Sequence, residues 1–593
     1  MVRNRKQGEN TVKSALKSLA LNPMITTEKS GVALFIQQCY ENGMKNIVCS
    51  PGSRNAPIII AIDEHPEMKA IVIHDERSAG FFAMGMAQQL GEPVGVVCTS
   101  GSAMLNYYPA VAEAYYQSIP LIIISADRPK EWVNQGDGQT IVQSEVYKNH
   151  ILAEEEIKEY ATTNQEKEQL ILRVNQTFDI AKRGWKGPVH FNLPISEPLY
   201  RTALNNLDRF STLESKKEVF QLNQIDKELI QGAWKSNSKK LILCGQMEKN
   251  GAVLAKLNEL GVDSSVAILV ENTANLKSNK FVHCIDRTLM GISESEFEEF
   301  QPDILITLGG AVVSKRIKKF LRNSDIKQHW RVGHAFPKMD TYRALSHSFE
   351  CSPFEFLAEI LRIDLQPHTS TFGNRWKQKD FIIQDKLVDY FPEIGHSDLK
   401  TIETILDYIP ENSNLHMGNS SVVRYCQLFD PIGSFNYFSN RGTSGIDGST
   451  STSAGVAFAD PSKCNVIITG DISFFYDSNA LWNDHLGNNL KIVLINNSGG
   501  GIFKIIEGPS NTSQLSKYFE AKHNYKAKDL CKGFGVEYFE ASTNEKIENS
   551  MEEFYADSVN GRPKLIEIFT PSDINDKVVK QFFNFIKLEL KAN

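Results

Sequence analysis

Apolar residues in this chain fall into short blocks of about four to six, separated by longer stretches of mixed polarity that suit helices. The first such blocks stand at 46–49, 70–73, 93–98, 121–125 and 189–193. Continuous apolar runs of this length predict strands covered on both faces, and their alternation with helical stretches predicts a parallel, doubly wound sheet. A second alternating block has runs at 241–244, 266–270 and 304–308, the last closed by Gly309 and Gly310. A third extends over about 399–590, with runs at 466–468 and 492–495 and a final strand at 565–569. Between the blocks, 201–226 and 364–398 read as linkers, the second marked by Pro367, His368, Thr369, Ser370 and Thr371. The expected fold class is therefore α/β, with three doubly wound parallel-sheet domains. The expected boundaries are an N-terminal extension at 1–26, a first domain at 27–205, a central α/β domain at 206–385 and a third domain at 386–593. There is no short-period repeat, and three blocks of similar size are compatible with a duplicated fold.

Length and charge narrow the function classes. A chain of 593 residues exceeds what one core sustains, in keeping with several domains. The net charge of −7 supplies no overall basic field for nucleic acid, so any cationic patch is local. Nine cysteines are scattered without a CxxC or a zinc-ligand spacing, which fits a reducing cytoplasm. No apolar run approaches the roughly 20 residues that span a bilayer, and no signal-peptide core is found at the start. Residues 1–23 are basic and weakly amphipathic; they read as a dispensable or artefactual extension, with a transit peptide as the alternative and Met24 as a second possible start.

The candidate chemistry centres on two strand ends. Gly470-Asp471 closes one apolar run, and Asn496-Asn497-Ser498-Gly499 closes the next, with Asp471 and Asn497 26 positions apart. Parallel α/β sheets bind ligands at the carboxyl ends of their strands, where these side chains emerge. Both are hard oxygen donors of the kind magnesium takes, the rest of its octahedron coming from water and phosphate oxygens. Each has a purely structural reading as well: Asp caps a following helix, and Asn-Asn-Ser-Gly makes a good turn. Their joint occurrence at the ends of two strands favours a metal-bridged diphosphate. Gly499, Gly500 and Gly501 let the backbone approach a phosphate and offer a carbonyl to the metal.

The Gly470-Asp471 and Asn496-Asn497 pair resembles the binding motif of thiamine-diphosphate enzymes. That resemblance implies Asp471, Asn497 and the carbonyl of Gly499 as ligands of magnesium, with manganese as a possible substitute. The third motif residue is usually Gly; here it is Ile472. The resemblance also implies a catalytic glutamate against the cofactor's pyrimidine ring, and Glu76 in His74-Asp75-Glu76-Arg77 fits, following a strand and preceding a helix that starts near Ser78. Alone, Glu76 reads as an acid complementing a helix N-terminus; its place in a domain resembling a pyrimidine-binding domain is what favours the catalytic role. Seven longer segments narrow the family: Ser50-Pro51-Gly52-Ser53-Arg54, Thr99-Ser100-Gly101-Ser102-Ala103, Ala126-Asp127-Arg128-Pro129, Gly418-Asn419-Ser420, Ser439-Asn440-Arg441-Gly442, Ser444-Gly445-Ile446-Asp447-Gly448 and Gly499-Gly500-Gly501-Ile502-Phe503. From about residue 27 onward they resemble the 2-succinyl-5-enolpyruvyl-6-hydroxy-3-cyclohexene-1-carboxylate synthase family of menaquinone biosynthesis, while the central block matches mostly in layout apart from Ser314-Lys315-Arg316.

The resemblance implies a transferase that decarboxylates 2-oxoglutarate on thiamine diphosphate and adds the succinyl-semialdehyde carbanion to isochorismate by conjugate addition. The first domain would bind the pyrimidine, and the third the diphosphate and metal. Both substrates carry two carboxylates, which guanidinium groups grip in pairs of hydrogen bonds. By motif the substrate set is Ser53, Arg54, Arg128, Gln139, Lys315, Arg316, Arg424, Arg441, Ile502 and Phe503, although any one of these cations alone reads as a solvated surface charge. The cofactor set is Glu76, Asn419, Ser420, Gly445, Ile446, Gly470, Asp471, Ile472, Ser473, Asn497 and Gly499, with Ile446 as the bulky residue that bends the cofactor. The family also implies a homodimer or homotetramer whose active sites are shared between subunits. The alternative is another thiamine-diphosphate-dependent 2-oxoacid decarboxylase or an acetolactate-synthase-like carboligase, and from a different class, a silent cofactor-binding protein that kept the fold.

Overall fold

The structure is a computed structural model that describes residues 18–20, 24–205, 208–210, 222–363, 370–505 and 508–589. Parts of the expected extension and of both linkers, including Pro367, His368 and Thr369, lie outside those residues. The chain divides into two compact units, one of residues 1–218 with 454–459 and 482–485, the other of 219–453, 460–481 and 486–593.

The first unit is built on a six-stranded sheet of Asn46–Cys49, Lys69–Val72, Val94–Cys98, Leu121–Asp127, Ala153–Glu156 and Val189–Pro194. Counting strands in chain order, they lie 2-1-3-4-6-5, all parallel. The second unit holds two more parallel sheets. The six strands from Asn414–Met417 to Lys564–Phe569 repeat the 2-1-3-4-6-5 order, and the five from Lys240–Cys244 to Leu345–Phe349 lie 2-1-3-4-5. The expected strand cores match to within one or two residues at either end. The central sheet shows why continuous apolar runs arise: Ile242 and Cys244 join one core cluster while Leu241 and Leu243 join another. A strand packed on both faces has no solvent side, so alternation disappears.

Both expected linkers contain regular structure. In 201–226, Thr202–Asn205 pairs antiparallel with Met24–Thr27, and Asp208–Phe210 with Ser18–Ala20; the helix Gln224–Ser236 starts before the stretch ends. In 364–398, residues Phe372–Tyr390 form a 19-residue helix. Its buried stripe is Phe372, Trp376, Asp380, Ile383 and Leu387, the spacing of one helix face. Gly373 lets this helix lie directly on the central sheet: its N–H donates to the Ser264 carbonyl at 2.7 Å, and a Cβ there would strike the carbonyl of Val266. The buried Asp380 accepts from Arg287 at 3.2 Å and from the Thr288 hydroxyl at 2.7 Å, so the charge is paired where it is buried.

Candidate active site

The strands Asn465–Gly470 and Leu490–Asn496 run side by side with Gly470 opposite Ile495, so Asp471 and Asn497 leave one sheet edge together. Asp471 opens the short helix Asp471–Tyr476 and is buried. Its carboxylate accepts from the N–H of Gly499 at 2.9 Å and of Ile472 at 2.7 Å, and the His523 ring lies 3.3 Å away. Burial raises the Asp471 pKa against those two donors, and Asp398 raises it further. A divalent cation beside the carboxylate would reverse that penalty.

The two asparagines differ in what they have left to offer. Asn496 is saturated: its amide nitrogen donates to Glu567 at 2.7 Å and to the Tyr525 carbonyl at 3.0 Å, and its oxygen accepts from the N–H of Ser498. Asn497 donates its nitrogen to Asp398 at 2.8 Å, while its buried Oδ1 has no hydrogen-bond partner among the described residues. A buried amide oxygen without a donor is costly unless a ligand completes it. Gly499, at φ +152°, follows with a carbonyl that accepts from the N–H of Gly501 at 3.0 Å; a Cβ there would meet the Glu520 carbonyl at 2.6 Å. The set is thus a carboxylate, an amide oxygen and a carbonyl, with no group of three His, Cys, Asp or Glu placed to hold a metal among the described residues. Hard oxygen donors of this kind fit magnesium or manganese and leave positions for phosphate oxygens.

These groups line a cavity of about 190 Å³ together with Ser420, Ile446, Ile472, Ser473, Ile502 and Phe503. Ile446 and Ile472 also line a neighbouring cavity of about 1000 Å³ whose wall includes Phe475 and His523. Ser420 follows the strand Asn414–Met417 and carries φ +75°, a strained backbone for a non-glycine residue. Asn419 is committed to its own loop: it donates to the carbonyls of Asn440 and Gly445 at 2.7 and 2.6 Å and accepts from Arg441 at 2.8 Å. The Ser473 hydroxyl donates to the Ile446 carbonyl at 3.0 Å, fixing the apolar residue over the cavity floor.

Arg316, Arg424 and Arg441 act electrostatically on two acids, the buried Glu271 and the half-buried Asp286. The carboxylate of Glu271 accepts from the N–H groups of Val313 and Ser314 at 2.7 and 2.8 Å and sets the start of the helix Lys315–Arg322. Burial pushes Glu271 up to about 7, with Asp286 adding to the effect and Arg441 opposing it. Asp286 is raised by burial and opposed by the Ser314 hydroxyl and by Arg316 and Arg424. Lys315 and Arg316 are exposed, Arg316 resting 4.3 Å above the Phe583 ring, while Arg424 donates weakly to the Val313 carbonyl at 3.4 Å.

In the first unit, Glu76 is the first residue of the helix Glu76–Leu90. The helix thus starts two positions earlier than the sequence suggests, and Asp75 is its N-cap, accepting from Arg77 and Ser78. The cap is Asp75, while Glu76 lies in the first turn, where its charge also complements the helix N-terminus. Burial raises the Glu76 pKa, its own N–H opposes this, and Asp75 adds to it. Arg54 stands in the loop after Asn46–Cys49 and Arg128 directly after Leu121–Asp127, two strands that flank Val94–Cys98, and the Arg128 charge lowers the Arg54 pKa after burial does. Each is engaged, Arg54 with Glu197 and Arg128 with Asp137, both at 3.2 Å. Ser53 and Gln139 are exposed, Gln139 at φ +54° with its backbone against Gly101. Two residues absent from the sequence reading stand beside Asp471 and Asn497: His523 and Asp398.

Comparison with known proteins identifies the family. Three family models match in series: the N-terminal TPP binding domain of thiamine pyrophosphate enzymes over 29–146, the middle domain over 213–417, and the C-terminal TPP binding domain over 417–568. Thiamine pyrophosphate is thiamine diphosphate. A 2-succinyl-5-enolpyruvyl-6-hydroxy-3-cyclohexene-1-carboxylate synthase of Flavobacterium johnsoniae is 43% identical, covering 92% of this chain and 97% of its own. The chain belongs to the 2-succinyl-5-enolpyruvyl-6-hydroxy-3-cyclohexene-1-carboxylate synthase family. Synthases of the same name from Christiangramia forsetii and Porphyromonas gingivalis are 42% and 34% identical, each over 95% of this chain and 99% and 98% of their own. Synthase-family membership makes the chain a thiamine-diphosphate enzyme of the transferase class.

Proposed function

We propose that this protein decarboxylates 2-oxoglutarate and joins the remaining succinyl-semialdehyde unit to isochorismate, giving 2-succinyl-5-enolpyruvyl-6-hydroxy-3-cyclohexene-1-carboxylate and carbon dioxide for menaquinone biosynthesis. The observation that carries the reading is the unpaired Oδ1 of Asn497 in the cavity it lines with Asp471, in a chain of this family. Asp471, Asn497 and the Gly499 carbonyl would hold magnesium or manganese, and Ser420 and Ser473 would face the diphosphate. Bound thiamine diphosphate supplies a nucleophilic carbon and an electron sink for decarboxylation. Glu76 would hold a proton at its carboxyl for exchange with the bound cofactor, a task that its raised pKa favours. Ile446 would support the bound cofactor from the cavity wall, and Ile502 and Phe503 would keep water out of the site. Arg54, Arg128, Arg424, Arg441, Lys315 and Arg316, with Ser53 and Gln139, orient the four substrate carboxylates.

The enzyme works as a homodimer or larger homo-oligomer with shared active sites, in the cytoplasm. No described helix is long and apolar enough to cross a membrane, and all nine cysteines are free, as a reducing compartment keeps them. The deciding assay supplies purified protein with magnesium, thiamine diphosphate and 2-oxoglutarate, with and without isochorismate. Carbon dioxide release that depends on isochorismate and matches product formation is expected. Release that ignores isochorismate, or transfer to pyruvate instead, would replace this reading with a simple decarboxylase or an acetolactate-synthase-like carboligase.

A further inference from the structure

Asp398 stands 99 positions before Asn497 in the chain, in a stretch whose sequence reads as a linker, yet its carboxylate is buried against the cavity. Ser397 caps the helix Asp398–Tyr408 that carries it. Three contacts fix the residue. Its N–H donates to Asn575 Oδ1 at 2.9 Å, its Oδ1 accepts from the Thr570 hydroxyl at 2.5 Å, and its Oδ2 accepts from Asn497 Nδ2 at 2.8 Å. An ionised carboxylate only accepts hydrogen bonds. It therefore admits one of the two flips of the Asn497 amide, the one with nitrogen toward Asp398 and oxygen away from it.

We propose that Asp398 is a positioning residue for the metal site: it locks the Asn497 carboxamide so that Oδ1, and not the NH₂ group, meets the cation. This rests on the reading of Asn497 as a metal ligand. The unpaired Oδ1 is what such a lock leaves behind, and Asn496 next to it shows the contrast, with both ends of its amide satisfied inside the protein. Partners that orient metal ligands are commonly worth 10–100-fold in metal affinity. A carboxamide at 398 would both donate and accept, so two Asn497 flips would coexist and affinity would fall only by the fraction misoriented. An alanine at 398 would leave the amide without any partner on that side.

The test is Mn²⁺ binding to metal-free protein saturated with thiamine diphosphate, followed by the electron paramagnetic resonance of free Mn²⁺, alongside thermal melting without metal. Asp398→Asn is expected to bind Mn²⁺ about two- to threefold more weakly than the unaltered protein, and Asp398→Ala at least about tenfold more weakly. If Asp398→Ala does not fold, Asp398→Asn decides alone. Variants that melt earlier without metal but bind Mn²⁺ as tightly as the unaltered protein would overturn the proposal, since a residue serving only the fold gives that result. Unaltered protein that fails to bind Mn²⁺ with thiamine diphosphate would instead overturn the cofactor reading itself.

Discussion

Glu271 places a full carboxylate where the fold needs two acceptors, and the cost of burying it has a measurable sign. The free side chain titrates near 4.5, and burial pushes it up to about 7 in the folded chain. Between those values the folded state holds a proton that the unfolded state has released, so stability from this group is present below about pH 4.5 and is lost as pH rises through 7. Replacing it by Gln keeps one acceptor and removes the titration. Urea denaturation at pH 5 and pH 8 is expected to show the unaltered protein losing more stability over that interval than Glu271→Gln; an equal loss would show that Glu271 is ionised throughout. Residues of this kind mark the limit of the sequence. Asp471 and Asn497 were legible because each follows its own strand, and strand ends announce themselves locally. Glu271 and Asp398 were not, because their partners at Val313 and Asn497 lie 42 and 99 positions away and no local pattern records the pairing.

At the scale of elements, the apolar strands read from the sequence match, whereas strands such as Ala153–Glu156 and Asn436–Phe438 were not read, and the helix Phe372–Tyr390 was missed for an identifiable reason. Its stripe of Phe372, Trp376, Ile383 and Leu387 is broken by Asp380 at the position where an apolar residue would have completed the period. Asp380 is there for Arg287, whose guanidinium also holds Asp430 at 3.2 Å on the loop after the helix Ser421–Cys426. The network joins this helix to the central and third sheets' neighbouring elements, all within one unit. Removing one partner of a buried pair leaves an uncompensated charge, at a cost of about 3–5 kcal/mol. Asp380→Ala is expected to approach that loss in urea denaturation, with Asp430 moderating it. Asp380→Asn, which keeps an acceptor for Thr288, should lose less. Equal losses would mean that the charge, which both variants remove, accounts for the whole effect and that the acceptor kept for Thr288 contributes nothing.

At the scale of the whole molecule, two sheets share the strand order 2-1-3-4-6-5, and each carries one half of the expected cofactor machinery at its strand ends. Glu76 belongs to the first unit and Asp471 to the second. Two domains of one topology, each opening the carboxyl ends of its strands, are suited to grip opposite ends of one ligand when two copies of the chain assemble with twofold symmetry. On the proposed shared-site reading, a symmetric dimer would have two sites, each drawing Glu76 from one copy and Asp471 from the other. Glu76→Gln and Asp471→Ala homodimers would each be inactive for different reasons, the first lacking the proton-exchanging carboxyl and the second a metal ligand. A mixed dimer restores one intact site out of two. Purified heterodimers carrying two different affinity tags are therefore expected to recover up to about half of the unaltered activity per dimer, the other site being doubly defective. Heterodimers confirmed by mass that remain inactive would assign both residues to a site within one copy, and the shared-site reading would fall while the chemistry of each residue stood.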